Sequence, residues 1–455
     1  MEDIETKEDR EWNAALEAAL QVFPEPRPGL LLFVEEREDL VIEVRGGEAP
    51  LSSHTFTSGI SARGPFDSPW SLYRAGPAPG DAKRLVRSAI DPRMGFPFER
   101  TDERPPANSW EAFRVSEVAG WVQRLVDRLR ESNPGTELRA RWVGFEQKVR
   151  IARPGRRPTT DVRRGRRIRV DAFVGGAGKP GPAVAEAVLP ARLDTDGGVV
   201  AAMSGRLEAD IGRRRQAREL PRGARTVVLA PGVGGILIHE LVGHALEADT
   251  VRLNGSWLGS ARDESAVVSP VLTVIDDPRR GRAPWRVDDE AEPSRAVPLL
   301  RDGFVVGQLH DARSAGDVGS SPTGHGRRSS FREPVRPRMG CTFIAPGERT
   351  ADEILQGVVD GIYVRRMEAA TTDPASGSAT FRVTDADRIH RGRLDAPLLP
   401  HLLHVEGKKV LRGNLLVADD LEFDRCVGSC HRDGQPLAIS VGAPTMRIGS
   451  TTVIA

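Results

Sequence analysis

Cysteine is scarce in this sequence, with three residues in 455: Cys341, Cys426 and Cys430. So small and odd a number of thiols excludes a disulfide framework and is typical of a protein from a reducing compartment. The first residues are acidic and polar, which excludes a secretory signal, and no apolar run approaches the roughly 18 residues of a membrane-spanning helix. We therefore expect a soluble, cytoplasmic protein with no membrane partner.

Net charge is nearly absent as well, because 65 Lys and Arg residues oppose 64 Asp and Glu residues for a formal charge of +1. A protein with this balance has no global attraction to nucleic acid or to an anionic membrane. Eight arginines crowd between residues 153 and 169, but Pro and Gly interrupt them and no aromatic residue lies among them. We interpret this run as a solvated hairpin and expect no nucleic-acid partner.

The first half of the chain has clear structural patterns but no chemical motif. Apolar residues at helical spacing predict helices over 9–23 and 116–132, and two apolar runs separated by a charged segment predict a β-hairpin over 30–44. Alternating strands are expected between about 138 and 193. We predict an N-terminal mixed α/β domain, residues 1–195, that serves as a scaffold or cover for a site in the second half of the chain.

A different pattern begins in the second half. Residues 226–230 (TVVLA) predict a buried strand, PGVGG at 231–235 predicts a tight turn without the Lys-Ser/Thr of a phosphate loop, and 236–249 predict a helix. The remainder is mostly short strands, with one further helix expected over 351–361. The predicted fold class is therefore α+β, in which a β-rich C-terminal domain, residues 196–455, carries the helix.

The helix over 236–249 contains the pattern HExxxH, formed by His239, Glu240 and His244. Residues five apart on a regular helix are separated by about 140°, too far for two histidines to share one metal ion. The spacing therefore predicts an inserted residue or a break between them, which Gly243 would permit. The surrounding helix is apolar on every side, so its His and Glu side chains should be paired or bind metal. Ordinary half-exposed residues are the alternative.

Glu240 directly follows the first histidine, where a carboxylate can accept a proton from metal-activated water. We therefore predict a hydrolase with Glu240 as its general base. A catalytic zinc ion takes three protein ligands, and the helix supplies two. The residues leave the third ligand open among Glu247, His310, Cys426, Cys430 and His431.

Four segments resemble the TldD/PmbA family of metalloproteases, also called modulators of DNA gyrase. They are GVGGILIHELVGHALEAD (232–249), SPTGHGRRSSF (321–331), PRMGCTFIAPG (337–347) and VGSCHRDGQPLAISVGAPTMRIGSTTVIA (427–455). The resemblance implies a zinc peptidase acting on unfolded or extended peptides in a closed cavity, with Zn²⁺ held by His239, His244 and, as third ligand, Cys430. It also implies a dimer, formed either by two copies of this chain or with a PmbA-like subunit that lacks HExxxH.

Three alternatives stay open from the sequence. The chain can be a non-catalytic partner subunit of a TldD/PmbA-like complex, a regulator that binds nucleic acid, or a metal hydrolase that does not cleave peptides. The intact ligands and base argue against the first, and the neutral charge argues against the second. The third is not separated from a peptidase, because one metal with water and a base suits amides and esters alike.

Overall fold

The structure is a computed structural model that describes residues 6–21, 29–64, 71–75, 78–90, 114–174, 183–188, 198–253, 255–259, 266–424 and 428–454. The helices are α1 Lys7–Leu20, α2 Asp81–Ile90, α3 Val115–Ser132, α4 Gly198–Gln216, α5 Gly234–Ile238, α6 Ala248–Arg252, α7 Ala312–Asp317, α8 Ala351–Gln356 and α9 Gly407–Arg412. In this part of the chain, no helix combines the length and the apolar character needed to cross a membrane.

The N-terminal half is built on one antiparallel sheet. Its strands are β1 Leu31–Arg45, β2 Leu51–Arg63, β3 Ser71–Ala75, β4 Glu137–Ala152, β5 Thr159–Phe173 and β6 Ala183–Val188, and they lie in the order β3-β2-β1-β4-β5-β6. Alternation along β1 sends Leu40 and Ile42 toward the apolar face of α3, while Leu31 and Phe33 face the other way and pack against Phe331 of the C-terminal half. The sheet thus joins the helices of its own half to the second half.

The β-hairpin predicted over 30–44 is wrong, because β1 runs unbroken through the charged segment. The carboxylate of Glu35 is fully buried there and accepts hydrogen bonds from Gln147 Nε2 at 2.6 Å and from the Phe331 amide at 2.7 Å. Because both partners are distant in sequence, the local sequence showed only a run of charged residues, and this run predicted a turn. The helix predictions are confirmed by α1, as far as residue 21, and by α3.

The arginine-rich run forms the hairpin between β4 and β5, as predicted, but it is not solvated throughout. Arg163 is buried, and its guanidinium pairs with Asp289 in the C-terminal half at 2.6 Å and with Asp161 at 3.2 Å. One face of this hairpin therefore contacts the second half through buried ion pairs.

The strands of the C-terminal half are β7 Gly223–Leu229, β8 Val274–Asp276, β9 Val297–Arg301, β10 Phe304–Val305, β11 Gly326–Arg327, β12 Arg336–Pro337, β13 Cys341–Ile344, β14 Asp360–Asp373, β15 Ser378–His390, β16 Arg393–Leu398, β17 His401–Glu406, β18 Leu416–Val417, β19 Glu422–Phe423, β20 Gly428–Arg432, β21 Gln435–Ala443 and β22 Met446–Val453. One sheet has the order β10-β9-β8-β13-β21-β19, with β20 paired to β21. The other has the order β14-β7-β22-β17-β15-β16, with β18 on β22, and a further β14–β15 pairing closes five of its strands into a circuit. Strands β11 and β12 form a small ribbon.

The HExxxH segment begins at α5, in the main apolar core of the C-terminal half. Leu237, Leu241 and Val242 are buried there with residues of both sheets, such as Val274 and Phe381. This arrangement confirms the predicted fold class, a mixed N-terminal half followed by a β-rich region that carries the HExxxH helix. The domain division at residue 195 stays a prediction, and it falls at 189–197, outside the described residues.

Two further predictions for the C-terminal half can be compared with the structure. The buried strand expected at 226–230 is confirmed as β7. The helix expected over 351–361 is only partly correct, because α8 ends at Gln356 and β14 starts at Asp360. Gly361 pairs with Thr226 in the sheet, and this strand pairing competes with a longer helix.

Candidate metal centre

The HExxxH segment is a helix whose geometry changes three times within a few residues. After α5, a π-helical turn spans His239–Gly243 and a 3₁₀ turn spans His244–Leu246, and Glu247 is extended with ψ 122°. The His244 amide donates to the His239 carbonyl, an i→i+5 hydrogen bond. The extra residue in this turn returns both imidazoles to one side, with ring centroids 4.9 Å apart. The predicted distortion is confirmed.

Gly243 contributes to this turn for a reason that the sequence did not indicate. Its φ of −57° and ψ of −59° are ordinary helical values, so the conformational freedom of glycine is not used. A Cβ atom at this position would lie 1.9 Å from the sulfur of Met339. Glycine is therefore required for close packing of the 337–347 segment against the π-helical turn.

Three side chains converge beside this turn: His239, His244 and Cys430. Their candidate ligand atoms all lie within 4.8 Å of one another, and Cys430 Sγ is 3.3 Å from His244 Nε2. Cys430 lies on β20, and all three residues are buried. The fold thus joins a helical turn to a hairpin that follows it by 186 residues.

The charges of this cluster support one another. Burial disfavours the thiolate, but the adjacent imidazoles of His244 and His239 hold the pKa of the Cys430 thiol well below its usual range. Burial likewise disfavours imidazolium, but the Glu247 carboxylate and Cys430 raise the pKa of His244 well above its usual value. The environment therefore favours a thiolate at Cys430, the form of cysteine that binds metals.

The residues present fit a zinc ion. Two imidazoles and one thiolate form a nitrogen–sulfur donor set that zinc favours, and three protein ligands leave one position open for water or substrate. Within the described part of the chain, Nδ1 of His239 is buried without a hydrogen-bond partner. A buried polar atom without a partner is costly, and in this cluster it indicates a side chain arranged for a bound ion.

Glu240 lies beside the cluster. Its side chain is 13% exposed, and its Oε2 atom is 3.9 Å from His244 Nε2. The hydroxyl of Thr372 donates to the same carboxylate oxygen at 2.8 Å. Thr372 follows a register shift in β14 between Ala369 and Thr371, where a bulge redirects side chains. Sequence reasoning missed Thr372, because a threonine in a strand has no distinguishing pattern.

The other candidates for a third ligand are placed elsewhere. Glu247 contacts His244 Nδ1 at 3.0 Å, on the side of the ring away from Cys430. His310 Nδ1 lies 3.2 Å from Ser314 Oγ, and His431 Nε2 lies 3.0 Å from Ser429 Oγ. Cys426 lies outside the described residues. Among the residues that the structure describes, the cluster thus contains Cys430 and neither of these two histidines.

Together, the fold and the donor set define a class: an α+β protein whose β-rich half contains a buried cluster of two histidines and one cysteine that could hold a metal ion, with a glutamate beside it. More specifically, the chain belongs to the PmbA/TldD family of metallopeptidases. The family model described as the PmbA/TldA metallopeptidase C-terminal domain matches residues 222–455, which include every residue of the cluster.

Known relatives match about half of the chain. The chain is 34% identical over 235 residues to a protein named metalloprotease TldD homolog from Haemophilus influenzae, covering 51% of this chain and 48% of that one. It is 29% identical over 230 residues to the zinc metalloprotease TldD homolog of Saccharolobus solfataricus, covering 50% of each chain. The chain thus spans about half the length of the curated relatives it matches.

Solved structures resemble the whole chain. TldE from Thermococcus kodakarensis matches with a TM-score of 0.74 at 16% identity, over 97% of this chain and all of that one. A protein from Thermotoga maritima described as a modulator of DNA gyrase matches with a TM-score of 0.72 at 17% identity, over 98% and 100%. At these identities the likeness concerns the fold alone, and it extends to the N-terminal half.

Proposed function

We propose that this chain is a catalytic, TldD-type member of its family: a zinc-dependent peptidase that hydrolyses unfolded or extended peptides. The observation that carries the proposal is the convergence of His239, His244 and Cys430 within 4.8 Å, with Glu240 beside them. The names of the relatives as metalloproteases, one of them a zinc enzyme, support the same assignment.

In this mechanism His239, His244 and Cys430 would hold a zinc ion, which would supply a Lewis acid for the scissile carbonyl and lower the pKa of water. Glu240 accepts the proton of the attacking water and delivers it to the departing amine. Its Oε2 atom accepts a hydrogen bond from Thr372 and lies 3.9 Å from His244 Nε2, so this hydrogen bond holds the carboxylate beside the cluster. Thr372 therefore acts as a positioning residue for the base.

The alternative, a non-catalytic partner subunit, is disfavoured because the chain retains the complete set of three ligands and a base.

We propose that the protein works as a dimer, either with itself or with a PmbA-like subunit, on the strength of the family resemblance. The oligomeric state can be measured by size-exclusion chromatography with light scattering, on this protein alone and after it is mixed with such a subunit. A cytoplasmic location is proposed because three cysteines in 455 residues are typical of a protein from a reducing compartment.

Zinc content and peptide cleavage, measured on the same samples, test the function. The wild-type protein should bind one zinc ion per chain and cleave an unfolded casein while sparing a stably folded domain. Glu240→Gln should keep its zinc and lose roughly 10²–10⁴-fold in turnover, the usual contribution of a general base. Glu353→Gln, a change to an exposed carboxylate in α8, is the matched control and should leave both readouts unchanged.

Three results would count against the proposal. Full turnover by Glu240→Gln would remove the assigned base. A wild-type protein free of zinc after purification and reconstitution would remove the metal mechanism. Zinc binding with hydrolysis of esters but of no peptide would favour the non-proteolytic hydrolase.

A further inference from the structure

Glu247 occupies an unusual position for a carboxylate. It lies where the helical segment breaks, between the 3₁₀ turn and α6, and its side chain is fully buried. Its Oε2 atom is 3.0 Å from Nδ1 of His244, and Nε2 of the same ring is 3.3 Å from Cys430 Sγ. Accepting a hydrogen from Nδ1 leaves the lone pair of Nε2 directed at the cluster.

Two arginines surround this carboxylate. Arg432 donates to Glu247 Oε2 at 2.7 Å and to Asp249 Oδ1 at 2.9 Å. The Nε atom of Arg338 lies 3.9 Å from Glu247 Oε1. Two carboxylates and two guanidinium groups balance one another, which offsets the desolvation of a buried Glu247.

The same arginines hold the hairpin that carries Cys430. Arg338 is buried, and it donates to the Cys430 carbonyl at 3.0 Å and to the Gln435 carbonyl at 3.2 Å. Arg432 lies on β20, two residues beyond Cys430. Strand β20 joins its sheet only through β21 among the described strands, and these contacts join β20 to the HExxxH segment through side chains.

We propose that Glu247, Arg338 and Arg432 form a positioning network that orients His244, holds the Cys430 hairpin against it and thereby sets the affinity for zinc. The inference rests on the metal site of the proposed function and adds residues that touch no substrate. It also assigns a role to the segment PRMG at 337–340, where Arg338 anchors the hairpin and Met339 packs on Gly243.

Zinc affinity, measured by competition with a chromophoric chelator, tests this network without relying on catalysis. Glu247→Gln keeps the size of the side chain and removes its charge, and it should weaken zinc binding roughly 10–100-fold, as losses of such orienting partners do. The visible spectrum of the Co²⁺-substituted protein should change as well, because the ligand geometry loosens. Asp289→Asn, at another fully buried carboxylate paired with arginine, is the matched control and should leave both readouts unchanged.

Arg432→Lys provides a second test at a side chain that is 16% exposed, where loss of folding is not expected. It removes the two-pronged contact with Glu247 and Asp249, and it should weaken zinc binding in the same direction. Unchanged zinc affinity in a folded Glu247→Gln, or in Arg432→Lys where the first variant does not fold, would overturn the network. Wild-type protein that binds no zinc would instead contradict the proposed function.

Discussion

The contact between the two halves and the metal cluster both bury charged side chains, but they satisfy them differently. At the contact, Arg163 donates to Asp289, to Asp161 and, at 2.9 Å, to the carbonyl of Val287. At the cluster, Nδ1 of His239 has no hydrogen-bond partner among the described residues. The partners of Arg163 are all protein groups, so this side chain contributes to structure, whereas the convergence of His239 with His244 and Cys430 points to a ligand.

The two halves of the chain also differ in how they match known proteins. The family model matches residues 222–455, in the second half, where the ligands constrain residue types. The solved structures, at 16–17% identity, cover 97–98% of the chain and so include the first half, because a sheet covered by helices needs only the right pattern of apolar residues. This difference predicts that substitutions in the second half affect metal and catalysis, and that those at the contact affect stability.

The largest expected effect is that of Cys430→Ala on zinc. Removing a ligand should lower the affinity by more than the roughly 100-fold limit for orienting partners, so the purified protein should lose nearly all its zinc. Cys341→Ala is the control, because burial raises the pKa of that thiol and keeps it protonated away from the cluster. Metal analysis by mass spectrometry measures the zinc content of both variants. A Cys430→Ala protein with full zinc would exclude this cysteine as a ligand.

The second prediction concerns the contact between the halves. Arg163→Met leaves Asp289 buried beside one fewer cation, and breaking such a pair costs about 3–5 kcal/mol of unfolding free energy. Urea denaturation followed by circular dichroism measures it. Zinc affinity of the folded protein should not change. A loss of zinc as large as the loss of stability would mean that the two regions are coupled.

Thr372→Val should have a smaller effect, confined to catalysis. Loss of a hydrogen bond to a charged group costs about 1.5 kcal/mol, so kcat should fall roughly tenfold while zinc content stays at the wild-type level. Thr372→Ser keeps the hydroxyl and should recover most of the activity. Equal activity of the valine and serine variants would show that this hydroxyl does not position Glu240.

The smallest predicted effect is a difference in how two buried aspartates, Asp289 and Asp424, make the stability depend on pH. Burial raises the pKa of Asp289, but Arg163, Arg327 and Arg328 bring it below its ordinary value. Burial raises the pKa of Asp424 to about 7, and Ser440 is its hydrogen-bond donor. Because folded Asp424 holds its proton more tightly than the unfolded chain does, stability falls as pH rises through this range.

Between pH 7 and 8 this contribution from Asp424 amounts to about 0.4 kcal/mol. Asp424→Asn should remove that part of the pH dependence, which denaturation curves at both pH values can detect. A variant with the wild-type pH dependence would show that Asp424 is ionised in the folded protein at neutral pH.

Patterns that repeat along the chain were readable from the sequence. The apolar stripe of α3, the strand at 226–230 and the need for a distorted turn between His239 and His244 all follow from the fixed geometry of helices and strands. The prediction of a hairpin over 30–44 was wrong because the structure there depends on distant contacts: the partners of Glu35 lie 112 and 296 residues away. No local pattern records such partners.

The sequence by itself therefore determined the class of fold, the HExxxH pair and the requirement for a distorted turn, since each depends on spacing within one element. The residues alone left the third ligand open and only the family resemblance implied Cys430, whereas the tertiary structure brings Cys430 to the histidines, shows that Met339 requires glycine at 243 and places Thr372 on Glu240 and Glu247 on His244. These choices depend on contacts between segments, such as the 186 residues that separate His244 from Cys430. Side-chain chemistry limits which residues can meet, but the packing of the two C-terminal sheets determines which of them do.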